Sequence, residues 1–381
     1  MPASGQRQRW KHFFVGRPLE TCIADGRDNV LQLRLIAALM VVLGHSYAVL
    51  GPGVAAHEPL HQLFPRAWSH ESGVSLFFTI SGFLITLSWL RRPELLRFIR
   101  ARFLRIWPAL AVCLAITAFV IGPLVTTWPL RAYFFVGDET GSALTYFFNN
   151  AILHIKPFLP GVFLHVPTAR WVNGSLWTLP YETTLYACVA GAGMLRLFRF
   201  PWLASIGIAA VFSYLVIVPL CTGRAPWIGY MQSGFFGAGC IACLLRRHVP
   251  ISTGLMLAFL LICFLGRYTT HVLPLNWLAT AYFALWFCYA PRLPAIPRGL
   301  DLSYGTYLWA FPIQQILVMH GVDDPLYLAA CAAPIALTLG AISWLVIEKP
   351  ALRFKDIRWR RRHVAQSGPL AQSAATSGRA D

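Results

Sequence analysis

Charge is scarce in this chain. Only 12% of its 381 residues are Asp, Glu, Lys or Arg, against roughly 25% in soluble domains. An ordinary water-soluble globule is excluded, and a polytopic membrane protein is indicated. Acidic residues are scarcer still, 15 against 32 Lys and Arg, for a formal net charge of +17. That surplus does not indicate nucleic acid as a partner. The basic residues sit in short clusters between apolar spans, where a topology signal belongs, and no basic–aromatic module accompanies them. Redox and metal motifs are thin as well. Of nine cysteines, Cys240 and Cys243 form a CxxC with no second pair. Membrane-buried thiols are the plainer reading, and neither a structural disulfide nor a metal site is expected. No internal repeat is visible. The first apolar stretch lacks an A-x-A-like cleavage site, so it reads as a retained helix rather than a signal peptide.

What the chain does have is long apolar runs. A spanning helix needs about 20 mostly apolar residues. The candidates are 31–50, 74–90, 106–124, 176–196, 202–221, 229–245, 251–266, 273–290, 302–320 and 327–347. With the N-terminus placed in the cytoplasm, the cytoplasmic pieces hold 25 Lys and Arg and the opposite side holds 6. This split follows the positive-inside rule. The expected fold class is therefore an all-α polytopic membrane protein with about ten transmembrane helices and both termini cytoplasmic. Residues 1–30 read as a cytoplasmic N-terminal segment and 31–350 as the membrane domain. Residues 351–381 read as a basic and then disordered cytoplasmic tail.

The long external loop, about 125–175, is rich in aromatics, among them Trp128, Tyr133, Phe134, Phe135, Tyr146, Phe147 and Phe148. Two readings stand side by side: interfacial anchoring, or a lid or sugar platform. Segment 141–155 is amphipathic and reads as an interfacial or re-entrant element.

Arg34 and His45 carry the strongest chemical signal. They lie eleven residues apart in the first span, close to three helical turns and about 16 Å of rise, so both point the same way. Ionisable groups at membrane depth are costly and usually functional. An imidazole suits a general base or acyl relay, and an arginine at the mouth suits phosphate. A lone His in a helix is more often a packing residue, but the phase-matched Arg shifts that balance. Arg102 and Arg105, in RFLRIWP, share a face at i, i+3. They read either as a positive-inside cluster on lipid phosphate or as a forked phosphate site.

GVSLFFTISGFLIT (Gly73 to Thr86) offers small residues for close helix approach. SLWTLPYE (Ser175 to Glu182) places Glu182, the only acidic residue well inside a predicted span, toward the outer half, with His45 or an arginine as partner. Tyr304, Tyr307, Gln314 and Gln315 in the ninth span suit a hydrophilic cavity or interhelical hydrogen bonds. WLVIEKP (Trp344 to Pro350) reads as a cytoplasmic helix terminus with local salt bridges.

Taken in order, these stretches resemble the membrane acyltransferase 3 family of bacterial O-acyltransferases over about residues 28–355. Arg34 and His45 match its Arg/Lys-x10-His motif, and Arg102 and Arg105 its RxxR motif. GVSLFFTISGFLI is similar to its GVDLFFVLSGFLI stretch, with Ser75 at the usual acidic position. SLWTLPYE, YGTYLWAFP and WLVIEKP resemble its remaining signatures, with Ala310 where many members carry His, so no second imidazole is assumed.

The resemblance implies transfer of an acyl group, often acetyl, from cytoplasmic acyl-CoA to a hydroxyl of a lipid-linked or exported polysaccharide, at the bacterial inner membrane. Arg34, Arg102 and Arg105 would bind the acyl-CoA phosphates. His45 would be the base or acyl carrier, with Glu182 orienting it or the sugar. Some members add a hydrolase-like domain; none is expected here, since the C-terminal tail reads as short and cytoplasmic. Acyl-CoA, the glycan acceptor and membrane lipids are the expected partners, without metal. The alternative reading is a transporter or flippase of a lipid-linked glycan.

Overall fold

The computed structural model describes residues 13–137, 139, 141–168, 170–222, 228–269, 273–294, 296–297 and 299–356. Most of the expected disordered tail, 357–381, lies outside the described residues, as do residues 1–12.

Each apolar window contains a helix, and together these make a helical bundle. They are α1 (Val30–Ala48), α2 (Ser69–Arg91), α3 (Leu95–Ile116), α5 (Leu179–Met194), α6 (Pro201–Cys221), α7 (Ile228–Leu244), α8 (Thr253–Leu265), α9 (Leu273–Tyr289), α10 (Ser303–Met319) and α11 (Pro325–Ser343). Between α3 and α5 lies a shorter helix, α4 (Ala143–Ala151). Among the described residues, five segments are long and apolar enough to cross a membrane: Val30–Ala48, Ser69–Arg91, Leu95–Val125, Pro201–Pro219 and Pro325–Asp356. The outward faces of α6 and α8 expose large apolar side chains, among them Leu203, Ile206, Val211, Leu257, Leu261 and Leu265. Contiguous exposed apolar surface of this kind belongs against lipid, not water.

Two helices start earlier than hydropathy alone suggests. α2 begins at Ser69 and so takes in His70 and Glu71. Apolar averaging stops short of these residues because they are polar, yet the helix continues because their side chains face inward. α3 begins at Leu95, which puts Arg97, Arg100, Arg102 and Arg105 within the helix rather than before it.

α2 is the central element. A Cβ added at Gly82 would collide with the Phe236 carbonyl of α7, and one at Gly239 with the Thr79 carbonyl of α2. The two backbones approach this closely because both positions lack a side chain. α1 packs on the adjacent face of α2, with Gly73 against the Ala37 carbonyl.

The stretch between α3 and α5 folds onto the bundle. Tyr133 and Tyr146 are fully buried in the main core, while Phe135 and Phe148 are exposed. α4 is closed by a Ser142–Thr145 capping box, and Trp107 of α3 donates to its Ala151 carbonyl at 2.9 Å. The buried tyrosines are core, so they are not available as a sugar platform.

The bundle is not purely helical. Arg17–Pro18 (β1) pairs antiparallel with Pro250–Ile251 (β2), tying the N-terminal segment to the start of α8. Leu19 and Cys22 are buried beside this pairing, so part of 1–30 belongs to the folded body.

Candidate active site

A cavity of about 210 Å³ opens where α1, α2, α3, α5 and α10 converge. Arg34, Arg102, Arg105 and Glu182 all line it, together with Ser81, Tyr186, Tyr304, Tyr307 and Lys355. The structure therefore brings together four of the five residues singled out from sequence. A second cavity, about 420 Å³, adjoins it and is lined by Arg91, Arg92, Arg97, Arg102 and Lys355. Leu84, Ala101, Arg102 and Lys355 border both spaces. Arg102 thus stands on the wall shared by a basic vestibule and a smaller chamber lined by phenols.

The three arginines are not equivalent. Arg105 Nη2 contacts Asp301 Oδ2 at 2.6 Å and its Nη1 contacts Glu348 Oε2 at 2.7 Å. The guanidinium also lies over the rings of Trp344 and Tyr304. Arg34 Nε reaches the same Asp301 oxygen at 3.2 Å and donates to Ser303 Oγ at 3.1 Å. Ser303 in turn donates to Asp301 Oδ1 through Oγ at 2.5 Å and through its backbone N–H at 3.2 Å. Asp301 lies in the turn that leads into α10. Burial pushes its carboxyl up, but Arg105, Arg34 and the Ser303 hydrogen bonds outweigh burial and hold it well below the usual carboxylate range.

Arg102 has no such partner. Among the described residues no carboxylate lies within ion-pair distance of it. Its guanidinium rests over Phe98 and Tyr186, its Nη2 has only Ser88 Oγ at 3.4 Å, and its Nε is buried without a hydrogen-bond partner. At an effective dielectric near 20, two unit charges about 4 Å apart interact by roughly 4 kcal/mol. An anion approaching Arg105 meets two carboxylates whose repulsion offsets that attraction. An anion approaching Arg102 meets an open cation.

Glu182 accepts hydrogen bonds from Tyr186 OH and from Ser81 Oγ, the latter at 3.4 Å. Sequence left His45 or an arginine as its partner. The structure seats it with the arginines, because Ser81 lies eleven residues along α2 from His70, the residue that faces His45. That is about 16 Å of helix, so Glu182 does not orient His45 directly and does not sit in the half of the bundle that holds His45.

His45 is buried near the other end of α1. Its ring lies against His70, with centroids 5.3 Å apart, and edge-on to Phe311 at 5.2 Å. It does not line the arginine cavity, whose upper wall includes Val74 of α2 and Tyr307 of α10. Val74 is four residues from His70, and Tyr307 four from Phe311. One helical turn, about 6 Å, separates the end of the cavity from the imidazoles.

Several site residues were not legible as such. Ser81 read as a packing residue, yet it lines the cavity. Asp301 falls between the predicted spans 273–290 and 302–320, where nothing local marks it. Glu348, expected in local salt bridges, bonds to Ser343 nearby but pairs with Arg105 across 243 positions. A π-helical turn, Trp344–Glu348, ends α11 where this carboxylate is presented. His70 lies before the predicted second span, 74–90, and the Ala310 position gives no reason to assume a second imidazole. The phenols and amides of α10 divide: Tyr304 and Tyr307 line the cavity, whereas Gln314 bonds to Val42 and Ser46, and Gln315 to Thr168 and Trp171.

Comparison with known proteins gives three findings. The model of a family described as an acyltransferase domain matches residues 29–346. An O-acetyl transferase of Shigella phage Sf6 is 27% identical over 331 residues, covering 83% of this chain and 93% of the phage protein. Nodulation protein 10 of Rhizobium leguminosarum bv. viciae is 28% identical over 374 residues, covering 88% and 96%. No solved structure matches.

Proposed function

The chain belongs to the acyltransferase 3 family, and from that premise we propose that it moves an acetyl group from cytoplasmic acetyl-CoA to a hydroxyl of a lipid-linked or exported polysaccharide. The proposal includes a bacterial inner-membrane location, about ten spans and both termini in the cytoplasm. The excess of Lys and Arg on one set of connections supports that orientation. The phage relative, named an O-acetyl transferase, supports acetyl as the group carried.

The observation that carries the donor site is the position of Arg102, unpaired by carboxylate and bordering both the basic vestibule and the inner chamber. In this reading the vestibule takes the nucleotide phosphates of the donor. Arg102 grips one of them, and the pantetheine arm runs into the chamber past Tyr304 and Tyr307. Arg34 and Arg105, paired with Asp301 and Glu348, give the chamber its shape. The thioester end then points at His45, one turn beyond the chamber.

There His45 takes the proton of the acceptor hydroxyl as its oxygen bonds to the thioester carbonyl carbon. The C–S bond breaks, and the proton passes from the imidazolium to the departing thiolate. Neutral imidazole is suited to both halves of that exchange.

Purified protein in lipid nanodiscs, given radiolabelled acetyl-CoA and glycan extracted from cells that lack it, tests this. Acetyl transfer to the glycan with release of one CoA per acetyl is expected. Absence of both binding and consumption of acetyl-CoA would overturn the proposal.

A further inference from the structure

The reaction as drawn uses one imidazole, but the structure supplies two. His70, in the first turn of α2, lies against His45 with ring planes 32° apart. Their contact is set by the backbone. A Cβ on Gly44 would collide with the backbone nitrogen and ring of His70, so α1 and α2 are in close contact beside the pair. The start of α2 is itself anchored, since Ser69 donates to the fully buried Glu58 carboxylate. Each ring has a buried Nδ1 with no hydrogen-bond partner among the described residues. The other ring packed on His45 is Phe311, 5.2 Å away and near-perpendicular, which carries no polar atom to satisfy Nδ1. Buried polar atoms are nearly always satisfied, and exceptions call for an explanation.

We infer that His45 and His70 together form the seat for the acceptor hydroxyl, an inference that rests on the acyltransferase reading of the same site. A neutral imidazole presents either a lone pair or an N–H at Nδ1, depending on tautomer. With one ring in each form, the pair offers one acceptor and one donor. A hydroxyl is the group that matches both, donating to His45 and accepting from His70. A carboxylate or phosphate finds only one donor, and an ammonium only one acceptor. His70 thereby holds the attacking oxygen while His45 removes its proton. Its place one turn above Val74, where the chamber ends, is where an acceptor would meet the thioester.

The test compares His70→Phe, which keeps ring bulk without nitrogen, and His70→Gln, which keeps a donor and an acceptor. Both are assayed in nanodiscs with acetyl-CoA and glycan extracted from cells lacking the protein. Acetyl-CoA affinity should match wild type in both. Glycan acetylation should fall on the order of 10²-fold in His70→Phe and by a smaller factor in His70→Gln. Wild-type turnover in His70→Phe would make the ring a packing residue and overturn the seat alone. A wild type that neither binds nor consumes acetyl-CoA would overturn the acyltransferase reading, and the seat with it. Should His70→Phe fail to fold, His70→Leu replaces it, and equal rates for Leu and Gln overturn the inference.

Discussion

Arg105 and Glu348 stand 243 positions apart in the chain and meet at 2.7 Å, with the carboxylate fully buried. A second carboxylate, Asp301, closes on the other arm of the same guanidinium at 2.6 Å. Together they turn an arginine that reads as a phosphate clamp into a joint between α3, the turn before α10, and the end of α11. The open cation is its neighbour one turn away, Arg102.

That difference predicts opposite phenotypes. Arg102→Ala should weaken acetyl-CoA binding by roughly tenfold or more, the equivalent of about 1.4 kcal/mol, while leaving thermal stability near wild type. Arg102→Lys should recover only part of the loss, because an ammonium lacks the planar fork that engages phosphate bidentately. Isothermal titration with acetyl-CoA and with its 3′-dephospho analogue measures both points. Unchanged affinity in Arg102→Ala would remove this residue from the donor site.

Glu348→Ala should act chiefly on folding. Removing one partner of a buried ion pair leaves the other charge uncompensated and typically costs about 3–5 kcal/mol. Asp301 remains against Arg105, which places the expected loss at the lower end of that range. A thermal unfolding series in one detergent should show a clear drop in Tm for Glu348→Ala. A Tm equal to wild type would mean that the Arg105–Glu348 pair holds nothing together.

His45→Ala should lower acetyl transfer by on the order of 10² to 10⁴ and leave acetyl-CoA affinity intact. The second half follows from geometry, since the imidazole lies about one helical turn beyond the chamber that Arg102 guards. Equilibrium binding and single-turnover acetylation, measured on the same preparation, separate the two effects. Near-normal transfer by a well-folded variant would take His45 out of the chemistry.

Close approach of α2 and α7 gives a packing prediction. Gly82→Ala drives a methyl group into the Phe236 carbonyl, which as backbone cannot swing aside. Overpacking of this kind costs about 1–3 kcal/mol. Gly234→Ala, on the same α7 but with open space around it, should be neutral within about 0.5 kcal/mol. Comparable stability for the two variants would contradict the helix contact.

Sidedness can be read chemically. In a cysteine-free background, a cysteine at Glu94, exposed at the start of α3, and one at His154, exposed just after α4, report on opposite sides of the proposed topology. A membrane-impermeant thiol reagent on intact cells should label position 154 and spare position 94. The reverse pattern would place the basic vestibule on the face without acyl-CoA.

The amino-acid sequence by itself determined the helices and their apolar character, because a run of apolar residues bounded by Arg clusters and turns has few other solutions in a bilayer. It also determined that Arg34 and His45 share a face, and that Arg102 and Arg105 do, since those relations depend only on helical spacing within one element. Tertiary structure alone decided which cation stays open. Arg105 is neutralised by Asp301 and Glu348, 196 and 243 positions away, and nothing local to RFLRIWP encodes those partners. It alone seated Glu182 with Ser81 and Tyr186 instead of with His45, and it alone set His70 against His45. Hydropathy averages along the chain and so discards polar residues at a helix end. Whether such a residue faces lipid or a neighbouring helix is fixed by how close two backbones come, here at Gly44, and that distance is a property of the packed bundle.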